Sequence, residues 1–215
     1  MRKKIYIFIL MLLFPLAYAD AGENGPTDIL RPVLNELMAV LGDKSLKGDD
    51  HLVERRQKIM NSIEKGFNFR EMSKRVLGRT WRTIDEQQKD YFTELMTKLL
   101  ENVYVGKLET YSEQSVEFVA ETIKGARAQV TTFLLNYGMK IPVHYILKNV
   151  DDRWMVYDIN IEGVSLVRNY QQQFKSIVRK EKFEGLVKVL EEKNRSFLKS
   201  ERDEDSDSLD DKEGK

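Results

Sequence analysis

Two hydrophobic periods divide this chain. Between residue 27 and about residue 111, apolar side chains recur every three to four positions, the spacing of helices with one buried face. Ile29, Leu30, Val33, Leu34, Leu37, Met38 and Leu41 form the first stripe, and Gly42 stands where such a helix stops. The polar run D-K-S-L-K-G-D-D leads to a second helix with Leu52, Ile59 and Ile63 inward. Asn68 with Glu71 has the form of a capping box for F-R-E-M-S-K-R-V-L, which Gly78 ends. Thr83 with Glu86 repeats that form ahead of a long helix striped by Phe92, Leu95, Met96, Leu99 and Val103.

From 115 to 161 the period falls to two. Strands are predicted over 115–122, 127–137, 139–149 and 153–161, with Gly125, Gly138 and the Asp151-Asp152 pair at the turns. Successive strands so joined make an antiparallel meander. After Gly163 the helical period returns, first through Val167, Tyr170, Phe174 and Ile177, then through Phe183, Leu186, Val187 and Leu190. A one-sided sheet of about four strands beside segregated helices is an α+β plan.

The two ends lie outside that plan. Residues 1–19 carry a basic start, a short apolar run broken by Pro15, and Ala17-Tyr18-Ala19, which together predict a secretory signal peptide, with an uncleaved anchor as the other reading. Ala19-Asp20-Ala21 fits the same cleavage rule. The division expected is therefore a signal peptide over 1–19, a single domain over 20–198, and an acidic tail over 199–215. Leu209 is the one large apolar residue of that last stretch, too little burial to offset ordering, so disorder is expected there.

Charge and composition narrow the classes. Without Arg2, Lys3 and Lys4, 32 basic side chains stand against 35 acidic, a net charge of −3, which argues against nucleic acid as a partner. The absence of cysteine excludes disulfides and a lipidated N-terminal Cys. Stability must then come from the apolar core. His51 and His144 are the only histidines and are far apart in sequence, which argues against a transition-metal site. No nucleophile elbow, P-loop or dinucleotide fingerprint occurs. Asp158, alone in an apolar strand, reads either as a general base of raised pKa or as an acceptor of structural hydrogen bonds. The cluster Arg70, Lys74, Arg75 and Arg79 reads either as a contact surface or as a solvated helix face.

V-L-G-R-T-W at 76–81, E-Q-Q followed by Phe92, Tyr104 to Tyr111, and above all W-M-V-Y-D-I-N-I-E-G-V-S-L-V-R-N-Y-Q-Q-Q-F at 154–174 resemble the toluene-tolerance, MlaC-like family. The resemblance covers roughly residues 28–194 and leaves out the acidic tail. It implies a periplasmic, monomeric carrier that holds phospholipid as cargo, needs no cofactor and is not an enzyme. The implied partners are the lipid-binding subunit of an inner-membrane ABC transporter and an outer-membrane lipoprotein–porin complex, with outer-membrane lipid asymmetry as the purpose. The implied fold is a twisted antiparallel sheet wrapped by helices, similar to nuclear-transport-factor-like folds, with a lipid pocket between the layers.

On that reading the lipid contacts are drawn from both layers. The helices offer Leu77, Trp81, Phe92, Leu95, Leu99 and Tyr104; the sheet offers Val130, Thr132, Val143, Tyr145, Leu147 and Val156; Val164, Val167 and Tyr170 close one side. Each of these also reads as plain core, because pocket and core both exclude water. Three alternatives stand beside the phospholipid carrier: a carrier of a hopanoid-like lipid, a small-molecule isomerase or hydrolase using Asp158, and an interaction module whose concavity is filled by its own side chains.

Overall fold

The computed structural model describes residues 25–106, 115–136 and 139–213. The expected signal peptide, Gly138 and Tyr111 lie outside the described residues. Helix α1 (Pro26–Gly42) and helix α2 (Leu52–Glu64) form a hairpin, joined by two short 3-10 turns. Helix α3 (Phe69–Leu77) runs into a 3-10 turn (Gly78–Arg82), and helix α4 (Glu86–Leu100) into a π-helical turn (Glu101–Val105). Strands β1 (Ser115–Lys124), β2 (Arg127–Asn136), β3 (Met139–Val150), β4 (Arg153–Ile161) and the short β5 (Val164–Ser165) follow, and helix α5 (Leu166–Glu213) ends the described chain. Its helical backbone covers most of the segment where composition predicts disorder. Lys182, at φ 64° and ψ −170°, breaks it into two helices.

The five strands form one antiparallel sheet in chain order, so the predicted meander holds and gains a fifth strand too short for periodicity to show. Asp151 and Asp152 have φ of 50° and 59°, and Glu162 and Gly163 have 50° and 85°. Two successive positive φ values make the tight turns whose twist matches paired strands. Register shifts at Phe118/Ala120 and at Ile146/Leu147 are bulges that bend the sheet.

Cap chemistry sets the helix starts. Asn68 accepts from the Glu71 N–H at 2.8 Å, as its spacing predicts. The start of α4 is a correction. Asp85, not Thr83, is the cap; it accepts from the Gln88 N–H at 2.8 Å, and the Gln88 side chain accepts back from the Asp85 N–H at 3.1 Å. Thr83 is spent on the preceding turn, its hydroxyl donating to the Thr80 carbonyl at 2.9 Å.

Two apolar cores result. One lies between the α1–α2 hairpin and the inner sheet face, around Leu30, Ile59, Val130, Leu147 and Val156, all fully buried. The other joins α3, α4 and α5 around Phe92, Met96, Leu186 and Leu190. Phe69, at the start of α3, packs against both.

Candidate functional site

Sheet register decides which apolar groups meet. On the inner face, Val116 stands opposite Leu134, Leu134 opposite Ile141, Val143 opposite Ile161, and Tyr145 opposite Ile159. These cross-strand pairs occupy one end of the sheet. The other end, with Ala128, Leu147, Trp154 and Val156, belongs to the solid core. Over the first end the helices stand off, leaving a cavity of about 370 Å³. Its sheet wall is the set just named. The opposite wall is Leu34, Leu37 and Met38 of α1, Met60 and Ile63 of α2, Phe67 ahead of α3, and Phe69 and Met72 within it. Leu100, Glu101, Tyr104 and Val105, where α4 passes into its π-turn, close another side with Glu162 and Leu166.

The wall is almost wholly apolar. Methionine, unbranched and polarizable, adapts to ligands of irregular shape, and Met38, Met60 and Met72 all face this space. The polar groups are two carboxylates and two phenols. Glu101 is paired with Lys98 at 2.9 Å, and Glu162 is exposed on its turn. Burial pushes the Tyr145 phenol up to about 12, with the neighbouring Thr132 hydroxyl opposing part of that rise. Burial likewise holds the Tyr104 phenol above its ordinary value, while its hydrogen bond with Tyr170 works the other way. Tyr170 is also raised, first by burial and then by Tyr104. Near neutral pH these phenols are therefore uncharged.

The fifteen residues proposed from the sequence fall into four groups. Tyr104, Val143 and Tyr145 line the cavity. Val130, Leu147 and Val156 are fully buried in the sheet-side core, with Thr132 buried next to them and donating to the Val143 carbonyl at 3.4 Å. Leu77, Trp81, Phe92, Leu95, Leu99, Val167 and Tyr170 belong to the three-helix core. Val164 is 58% exposed on β5. The α1–α2 part of the wall was absent from that set because periodicity shows a helix's buried face, not what it faces.

Asp158 is buried on the free edge of β4. Above it, β5 pairs at Asn160 and Ile161; below it, Val156 exchanges backbone bonds with Gly66 and Asn68, each 2.8 Å. Between these two attachments its carboxylate accepts from the Ser165 hydroxyl at 2.6 Å and from the Val167 N–H at 3.0 Å. Ser165 Oγ in turn accepts from the Arg168 N–H at 3.1 Å. Both residues thus satisfy the first turn of α5, where orphan N–H groups and the helix dipole favour negative charge. His144 lies on the other face of the sheet, 3.0 Å from the Thr131 hydroxyl, and His51 is an exposed neighbour of Glu54. Among the described residues no group of His, Cys, Asp and Glu is placed to hold a metal.

A profile of the MlaC protein family matches residues 31–192, most of the chain. The chain belongs to the MlaC family. That makes it a periplasmic lipid-transport protein and not an enzyme. It is 20% identical over 200 residues to the intermembrane phospholipid transport system binding protein MlaC of Haemophilus influenzae, covering 88% of this chain and 92% of that one. A phospholipid-binding protein from Ralstonia solanacearum, solved in complex with a phospholipid, shares its fold with a TM-score of 0.75 and 24% identity. That match covers 81% of this chain and 99% of the other.

Proposed function

We propose that this MlaC-family protein carries phospholipid through the periplasm as a monomer, with the acyl portion held in the cavity between the sheet and the α1–α2 hairpin. One observation carries the reading: about 370 Å³ of space, walled by apolar side chains from both layers and polar only at a few groups. Pockets for small ligands run from about 300 to 1,000 Å³, so the space is of the right order. An acyl chain leaving a bilayer gives up roughly 0.8 kcal/mol per methylene, about 12 kcal/mol for one of some 16 carbons. A carrier must replace that contact without exceeding it, since cargo held more tightly than by a membrane cannot be delivered. An apolar, methionine-lined wall with no cation inside suits this balance.

The donor and acceptor on this reading are the lipid-binding subunit of an inner-membrane ABC transporter and an outer-membrane lipoprotein–porin complex, and the purpose is outer-membrane lipid asymmetry. Export by the signal peptide over residues 1–19 belongs to the same proposal. Membership of the family supports the intermembrane part of it, as does the name of the Haemophilus influenzae relative, an intermembrane phospholipid transport system binding protein. Ile141→Trp tests the cavity, because Ile141 lies on the wall without belonging to the fully buried core. The expected outcome is a protein of near-normal stability that moves labelled phospholipid between vesicles about tenfold more slowly, a loss equal to 1.4 kcal/mol. Unchanged transfer by the folded variant would place the cargo elsewhere.

A further inference from the structure

Most cations near α3 are spent. Arg70 bonds Glu86 and Asp90, Arg75 meets Glu71 at 2.9 Å, and Lys74 lies 3.9 Å from the same carboxylate. Arg79 is different. It stands with Lys175 and Arg179 of α5 around a groove of about 580 Å³, and none of the three makes an ion pair among the described residues. No carboxylate lines that groove. Its base is closed by the buried Val76, Leu77 and Phe174, with half-buried Val178 as its accessible apolar group. The walls are fixed to each other, since Gln171 donates from α5 to the Arg75 carbonyl at 2.9 Å.

We propose that this groove, between the end of α3 and the first half of α5, docks an acidic, apolar-anchored segment of a partner protein. Lys175 and Arg179 are four residues apart on one helix face, about 6 Å along the axis, and Arg79 stands across the groove from them. A helical segment with carboxylates a turn apart would meet that row while one apolar side chain seats on half-buried Val178. Three unpaired cations with no acid among them lack a counter-charge, and complementary charge both speeds encounter and fixes register. The concavity favours a segment over a bilayer, because a flat surface reaches protruding cations but not a recessed floor. The groove shares no residue with the lipid cavity, so docking and cargo binding are separable.

The test uses the full mature chain, labelled with ¹⁵N, and a synthetic helical peptide of repeating Glu-Leu-Glu-Glu-Leu-Leu. The proposal expects shifted amides around residues 76–80 and 174–179, no shifts with the Gln-for-Glu peptide, and weakening as salt shortens the reach of charge. Lys175→Glu with Arg179→Glu should weaken binding by about tenfold or more while vesicle-to-vesicle lipid transfer stays normal. Arg79→Gln, a milder change, should weaken it less. Any of three results would overturn the proposal: no peptide shifts, or shifts elsewhere; equal binding by the charge-reversed chain; or shifts at these amides with anionic phosphatidylglycerol vesicles and not with the peptide, which would make the groove a membrane contact.

Discussion

Asp158 shows how one side chain can look catalytic in sequence and prove architectural in space. Its isolation among apolar neighbours is what a raised-pKa base would display, but its two oxygens accept from Ser165 and from the Val167 N–H. It ties the last long strand to the helix that follows. Asp158→Asn keeps the shape and removes the charge from those bonds. The expected loss is about 1–2 kcal/mol by chemical denaturation, the usual size of a helix-cap effect. Lipid transfer per folded molecule should be unchanged, because Asp158 is not on the cavity wall. A folded Asn variant that no longer transfers lipid would return the residue to the functional site.

At the scale of elements, alternation in the sequence was enough to locate the four long strands and their order, since short turns leave an antiparallel meander as the simple solution. The cavity was not legible in the same way. Leu134, Ile141, Ile159 and Ile161 lie at one end of the sheet and Ala128, Leu147 and Val156 at the other, a distinction that only register draws. The same limit hid the α1–α2 wall, and local turn chemistry moved the α4 cap from Thr83 to Asp85. Another close fit was equally invisible. A methyl group on Gly66 would come within 2.9 Å of Val33 Cγ2, a stiff β-branched group on α1. Gly66 also accepts the Val156 N–H, so it cannot retreat without loosening β4. Gly66→Ala should therefore destabilise by about 1–3 kcal/mol, the range for overpacking. Adding Val33→Ala should recover part of that loss, and additive losses in the double-mutant cycle would refute the contact.

The molecule as a whole divides its labour between two cores. The α3–α4–α5 core is packed around wholly buried Phe92, Leu186 and Leu190, and carries the basic groove on its surface. The sheet-side core is solid at one end and hollow at the other. A void lined with Leu, Ile and Met costs stability wherever it serves no ligand, because its lining forfeits dispersion contacts that close packing would supply. On the proposed function, the acyl portion of the cargo supplies those contacts. The family resemblance in the 154–174 stretch was the strongest sign of this in the sequence, and it worked through the joint of β4 and α5 rather than through any residue of catalytic type. Native mass spectrometry of protein purified from the periplasm tests the central claim most directly. The account predicts a population carrying the added mass of a phospholipid, largely absent from the Ile141→Trp variant. Protein that leaves the periplasm without lipid, and takes up none from vesicles, would contradict it.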